Sequence, residues 1–202
     1  MDKRSSLKDV FTKIYANKVW SGSGTVSGPG STLQATVGLR KVITEIIYAE
    51  RIRSILDIPC GDYNWMQHIH RPCTVYHGAD IVEPLIKKLK ATYENSMTKF
   101  KVLDVTTSRL PIVELVIVRD CFVHLTLEQV TMALKNIRNH KPAFILVTTF
   151  PDREVNTDIE AGSWRPLNMT KAPFNLKPYK MYKDNEGTSK DNRDKSLMLV
   201  KL

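Results

Sequence analysis

Cysteine and glycine are both scarce in these 202 residues, and neither falls into a pattern that fixes a ligand by itself. Cys60, Cys73 and Cys121 form no C-x-x-C and stand in no metal-type Cys/His spacing. An odd, sparse set of this kind suits a reducing cytosol, so a cytoplasmic location without structural metal is expected. The nine glycines nowhere form the G-x-G-x-x-G that cradles a dinucleotide pyrophosphate. Long apolar runs are missing too; stretches such as 143–147 fall far short of the ~20 residues that cross a bilayer. No apolar stretch follows the charges at Asp2, Lys3 and Arg4, so no secretory signal is visible and no membrane partner is expected.

What is present is enough for a core. Hydrophobic residues make up 42% of the chain, which excludes wholesale disorder. One domain over 1–202 is expected, with N-terminal helices and a glycine-rich lid in 1–52 and the core in 53–202. The formal charge is +9, and its excess sits at the ends. Residues 1–53 carry +5, 54–170 are neutral, and 171–202 carry +4. A basic chain invites a nucleic-acid reading. The lysines are scattered, however, and no Arg-rich run or basic-aromatic stripe accompanies them, which is the pattern of solvated surface charge.

Helical spacing over 6–18 puts Leu7, Val10, Phe11 and Ile14 on one face. A glycine-rich loop follows, with Gly22, Gly24, Gly28 and Gly30, suited to close backbone approach to a ligand and equally to a plain linker. Ser31 to Gln34 reads as a capping box for a helix with Leu39, Val42, Ile43, Ile46 and Ile47 inward. From residue 53 short apolar runs at 54–58, 74–80, 100–104, 114–118 and 143–148 alternate with helical patterns at 82–93 and 126–139. That alternation predicts a parallel, doubly wound α/β sheet. The tail breaks the rhythm, since 178–182 and 196–200 read as a strand hairpin around a polar stretch at 183–195.

In such a sheet ligands bind beyond the carboxyl ends of the strands, so the residues ending each strand are the ones to inspect. The first ends in Asp57-Ile58-Pro59-Cys60-Gly61-Asp62, where Gly61 lets backbone approach a ligand. The second ends in Asp80, whose two carboxylate oxygens can take both hydroxyls of a ribose. The third ends in Asp104, an acceptor for an exocyclic amine such as that of adenine. The fourth ends in Arg119-Asp120-Cys121, with His124 one turn on. One such Asp is as readily a turn former as a ligand group. Three in register point to a nucleoside-bearing cofactor. Pro59 and the flanking aspartates suit a cationic amino-acid group better than a pyrophosphate.

These motifs, Asp57-Ile58-Pro59-Cys60-Gly61, Gly78-Ala79-Asp80, Leu103-Asp104 and Val118-Arg119-Asp120, resemble in order those of class I S-adenosylmethionine-dependent methyltransferases. More narrowly, the chain resembles a group of small bacterial-type members through Trp20 to Gly24, Ser27 to Leu33, Pro59 to Met66 and Cys121 to Leu125. Thr148 to Pro151, Trp164 to Asn168 and Asp194 to Leu197 extend the resemblance over nearly the whole chain. It implies a Rossmann-like seven-stranded sheet with an antiparallel last strand near 196–201. It also implies S-adenosylmethionine as cofactor, with Asp57 and Gly61 at the methionine moiety, by way of the Pro59-Cys60 turn. Asp80 would take the ribose, Ile81 the adenine face, and Asp104 with Val105 the adenine edge. Arg119 and Asp120 would face the methyl group. Pro59 and Tyr63 depart from the glycines of the broader superfamily, while the narrower group shares Pro-Cys-Gly.

Methyl transfer asks mainly for alignment in a dry pocket, because the cofactor is already activated. Asp120 and His124 are the candidate bases, Asp120 the better anchored by its strand. The loop 22–30 is expected to close as a lid, carrying Trp20 and Ser27 toward the cofactor. The Asn/Asp-Pro-Pro-Tyr/Phe motif of many nucleic-acid methyltransferases is absent after strand four. A small-molecule or glycan acceptor is therefore favoured over RNA or another polyanion. A cofactor-binding module without catalysis is the third reading.

Overall fold

The computed structural model describes residues 6–22, 24–184 and 193–202. Seven strands form one sheet: β1 (Ser54–Asp57), β2 (Val75–Asp80), β3 (Thr98–Val102), β4 (Leu115–Val118), β5 (Phe144–Thr149), β6 (Lys180–Lys183) and β7 (Ser196–Lys201). Their order is β3-β2-β1-β4-β5-β7-β6. β1 to β5 pair in parallel, and β7 runs antiparallel to both β5 and β6. Among the described residues four α-helices accompany the sheet: α1 (Leu7–Ala16), α2 (Val37–Ala49), α3 (Glu83–Tyr93) and α4 (Leu127–Asn139). Among the described residues no helix is long and apolar enough to cross a membrane. The predicted doubly wound sheet with its antiparallel last strand is what forms. Part of the polar stretch read at 183–195 lies outside the described residues.

Side chains alternate across the central strands, so each strand feeds two cores. Ile55, Leu115, Ile117 and Leu146 meet Leu39, Ile43 and Ile47 of α2 and Leu85, Ile86 and Leu89 of α3. Leu56, Val116, Val118 and Val147 meet Val130, Leu134 and Ile137 of α4 on the opposite face. Burial on both faces is what makes β4, Leu-Val-Ile-Val, continuously apolar.

Two local expectations need correction. The capping box at Ser31 does not form. Pro29–Ser31 is a short 3-10 turn, and Ser31 Oγ donates to the Ser27 carbonyl at 3.2 Å. The helix then starts six residues later, at Val37. Capping boxes occur instead at Ser6 with Asp9 and at Thr126 with Gln129. The third strand ends at Val102, and Asp104 lies in the following turn, where Thr106 N and Oγ1 donate to its Oδ1 at 2.8 and 2.6 Å. The helix read over 6–18 forms as α1, with none of its residues fully buried and with Leu7, Phe11 and Tyr15 packed in part against the two cores.

Residues 150–179 connect β5 to β6 without a helix or strand, and polar side chains hold them. Asn168, 1% exposed, donates through Nδ2 to the carbonyls of Pro151 and Arg153, both at 2.9 Å. Its Oδ1 accepts from Thr170 N and Oγ1 at 2.9 and 2.7 Å. Arg165 donates to the carbonyls of Thr157, Phe122 and Leu125 at 3.0, 2.7 and 2.6 Å. Leu167 and Met169 then pack into the α4-side core. Because buried carbonyls left without donors cost about 1–3 kcal/mol each, Asn168→Ala should lower stability by about 2–4 kcal/mol in urea denaturation. A loss below about 0.5 kcal/mol would show that these bonds contribute little.

Candidate active site

A cavity of about 430 Å³ opens beyond the carboxyl ends of the parallel strands. From the β3 side to the β5 side its floor runs through Leu103, Asp104 and Val105, then Asp80 and Ile81, the Ile58 to Asp62 turn, Arg119 to Cys121, and Phe150. Leu7, Phe11, Ile14 and Tyr15 of α1, Trp20, and residues 26–31 form its roof. The amphipathic face of α1 therefore covers the cavity, and only in part the core.

The β1 turn is built for close approach. Gly61 has φ +53°, and a Cβ there would sit 2.3 Å from Ser27 Oγ. That hydroxyl accepts from Asp62 N at 3.0 Å. The Asp62 carboxylate accepts from Thr25 Oγ1 at 2.7 Å and Val26 N at 2.9 Å, and Asn64 Nδ2 donates to the Ser31 carbonyl at 2.9 Å. The glycine-rich segment is thus tied to the first strand's turn by four side-chain bonds.

Asp80 is aimed by backbone: Gly61 N donates to its Oδ2 at 3.2 Å and Val82 N to its Oδ1 at 3.0 Å. Burial pushes its carboxyl up to about 6, against those bonds. Asp104 Oδ2 accepts no hydrogen bond among the described residues, so an acceptor faces the cavity beside Leu103 and Val105. Asp57 is placed differently from its neighbours. It is 1% exposed, is absent from the cavity lining, and accepts from Tyr76 OH at 2.8 Å. Burial drives it up to about 7, opposed by that bond and by the charge of Arg119. Direct contact between its carboxylate and a cofactor amino group is not what this geometry offers.

At the far end sits a charge cluster. Lys195 Nζ lies 2.6 Å from Asp120 Oδ2 and 3.6 Å from Asp184 Oδ2. Arg119 pairs with Asp120 at 3.2 Å and Asp184 at 3.3 Å, and donates to the Gly30 carbonyl at 3.2 Å. Burial alone would raise the Asp120 carboxyl, but Lys195 and Arg119 outweigh it and hold it well below the usual carboxylate range. His124 Nδ1 is 2.8 Å from the Ser163 carbonyl, which can only accept, so Nδ1 carries the proton and Nε2 is left with a lone pair. The ring lies 4.6 Å from that of Trp20, tilted by 33°. Burial holds the imidazole below its ordinary pKa.

Every residue singled out from the sequence except Asp57 lines this one cavity: Trp20, Ser27, Pro59, Cys60, Gly61, Asp80, Ile81, Asp104, Val105, Arg119, Asp120 and His124. Sequence reasoning named Asp62 as an aspartate flanking the Pro59 turn but gave no site role to Phe11, Lys195 or Asp184. The charge partners of the last two, Asp120 for Lys195 and Arg119 for Asp184, lie more than sixty residues away in the chain, so spacing could not connect them. Among the described residues no His/Cys/Asp/Glu group could hold a metal.

No family model matches the chain, and no curated protein matches it in sequence. Solved structures do match. Magnesium protoporphyrin IX methyltransferase from Synechocystis PCC 6803, solved with bound S-adenosylmethionine, superposes at TM-score 0.69 and 10% identity over 100% of both chains. The 1,6-didemethyltoxoflavin-N1-methyltransferase of Burkholderia thailandensis, solved with acceptor and S-adenosylhomocysteine, gives 0.68 and 13%, covering 100% of this chain and 92% of its own. The N-methyltransferase NodS of Bradyrhizobium japonicum WM9 gives 0.59 and 14%, over 84% and 96%. The chain has the S-adenosylmethionine-dependent methyltransferase fold. In this methyltransferase fold the cavity occupies the edge where the strand order reverses, between β1 and β4.

Asp57 has a consequence for stability. Its folded value of about 7 lies above the ~4 of an unfolded aspartate. The folded protein therefore holds a proton that the unfolded chain releases between about pH 4 and 7, and this contribution to stability is lost as pH rises through that window. Asp57→Asn should flatten that part of the stability profile, read by urea denaturation at half-unit pH steps. An unchanged slope would mean that Asp57 is ionised throughout.

Proposed function

We propose that the protein transfers the methyl group of S-adenosylmethionine to a small-molecule acceptor. The observation that carries this reading is the order of groups along the cavity: two aspartates at one end, a glycine turn in the middle, a neutral histidine at the other. When bound, the cofactor supplies a methyl group already activated on a sulfonium sulfur. Asp80 would accept the ribose hydroxyls through the lone pairs that Gly61 and Val82 leave open. Asp104 Oδ2 would accept from the adenine amine, with Ile81 and Val105 against the ring. Pro59, Cys60, Gly61, Ser27 and Trp20 would surround the methionine end, with Asp57 buried behind the turn. Arg119 and Asp120 would shape the floor beneath the methyl group. The solved neighbours crystallised with S-adenosylmethionine or S-adenosylhomocysteine support the cofactor, and their named small-molecule acceptors support the acceptor class.

A polyanionic acceptor has less support. The cavity lining holds four carboxylates, Asp62, Asp80, Asp104 and Asp120, against the two cations Arg119 and Lys195. The segment 22–30 would act as a lid, and its opening must break the Asp62 and Arg119 bonds to residues 25–30.

Calorimetry should find S-adenosylhomocysteine bound in the micromolar range, roughly −8 kcal/mol. Asp80→Ala should weaken it about 10–100-fold, since a hydrogen bond to a charged acceptor contributes about 1.5–3 kcal/mol. Equal affinity in that variant would move the site elsewhere. Asp62→Ala, which frees the roof, should speed dissociation of the same ligand in stopped flow. An unchanged rate would mean the segment is no lid.

A further inference from the structure

The acceptor class can be narrowed, on the footing of the methyl-transfer reading. Beyond the ends of β4 and β5 the cavity is walled by rings. Phe11 and Trp20 lie 6.0 Å apart, Trp20 and His124 4.6 Å, and Phe150 and Trp164 6.0 Å edge to face. All five line the cavity.

The charged groups at this end are engaged with each other. Asp120 Oδ1 accepts from Thr148 Oγ1 at 3.2 Å, and its Oδ2 takes Lys195 and Arg119. Lys195 also faces Asp184. His124 differs: Nδ1 is committed to Ser163, and Nε2 makes no hydrogen bond among the described residues. The groups facing the imidazole are Asp120 after β4, Lys195 before β7, Arg165 on the 150–179 segment, and the Trp20 ring. Burial, with Arg165 and Lys195, favours the neutral ring; the Ser163 carbonyl and Asp120 pull the other way and do not prevail. At pH 7 this end therefore offers one open proton acceptor inside an aromatic wall.

We infer that the acceptor is a planar aromatic hydroxy compound, a phenol, packed against the Trp20 and Trp164 walls with its hydroxyl on His124 Nε2. A saturated sugar ring gives up the face and edge contacts that these rings offer a planar one. An aliphatic hydroxyl, about as weakly acidic as water near 16, is poorly matched to an imidazole base, whereas a phenol near 10 is within reach. The phenol oxygen forms the new O–C bond as the carbon–sulfur bond breaks, its electron pair staying on sulfur. The phenolic proton passes to Nε2, and the imidazolium then releases it to water.

The test uses the full chain. S-adenosylhomocysteine is titrated first by calorimetry; its failure to bind overturns the methyl-transfer reading and this inference with it. The loaded protein is then titrated with 2-naphthol, its saturated counterpart decahydro-2-naphthol, and methyl glucoside, following tryptophan fluorescence. The expected result is 2-naphthol binding at least tenfold tighter than either control, and 2-methoxynaphthalene by mass spectrometry once S-adenosylmethionine is supplied. S-adenosylhomocysteine binding with no preference for 2-naphthol, or with no ether formed, overturns the acceptor assignment alone. His124→Gln should bind 2-naphthol within threefold of the parent yet turn over about 10²–10⁴-fold more slowly at pH 7. Its rate should climb only toward the naphthol's own ionisation, where the parent's reaches a plateau from below pH 6.5. A parent-like pH profile in that variant would remove His124 as the base.

Discussion

The site depends on a knot of four charges, three of which have almost no access to water. Arg119, Asp184 and Lys195 are 6%, 2% and 4% exposed, and Asp120 closes the set. Arg119 and Asp120 follow β4, Asp184 follows β6, and Lys195 precedes β7, so the knot joins the end of β4 to the β6–β7 pair more than sixty residues further along the chain. Arg119 extends it to the roof through Gly30. Isolated burial of any one of these charges would cost several kcal/mol, and pairing makes the set tolerable only as a set. The cavity end near β5 is therefore fixed by mutual neutralisation, and the groups that neutralise each other are withdrawn from chemistry.

That withdrawal reverses an expectation. Asp120 ends a central strand and is the better anchored of the two candidate bases, which recommended it from sequence. The same anchoring surrounds it with Lys195 and Arg119, and a carboxylate held so far below its usual range takes a proton poorly. His124 has the looser position, in a short turn, but its tautomer is set by one carbonyl and its other nitrogen is open. Rigidity and basicity have been divided between two neighbours.

How much was legible follows from what each feature depends on. Parallel strands bring all their carboxyl ends to one edge, so Asp80, Asp104, Arg119 and the Gly61 turn could be gathered from spacing alone. The face of α1 was also legible, but not its destination. A helix shows the same 3.6-residue period whether it covers a core or a cavity, and Phe11 carries no mark of which. Residues 150–179 were opaque for the opposite reason. Asn168 and Arg165 hold that segment through side chain to carbonyl bonds that repeat with no period. The capping box failed because Ser31 found a nearer partner in the Ser27 carbonyl, and local propensity yielded to the roof's own turn.

The two turns that flank the switch point are both strained, and they are held by different forces. Tyr63 after β1 has φ +59° and Asp120 after β4 has φ +51°, values that cost a non-glycine residue about 1–2 kcal/mol. Tyr63 is kept there by rings: Tyr76, Tyr93 and Phe100 lie 5.1, 5.3 and 5.2 Å away, and Arg71 donates to its hydroxyl at 2.8 Å. Asp120 is kept by charge, through Lys195 and Arg119. Aromatic packing is indifferent to pH and salt, whereas an ion-paired turn depends on both partners staying charged. On the β1 side the backbone of the turn rests on packing, although the carboxyls beside it, Asp57 and Asp80, are raised to about 7 and about 6. On the β4 side, where the acceptor would lie, the shape of the turn itself is what a change in local charge can alter.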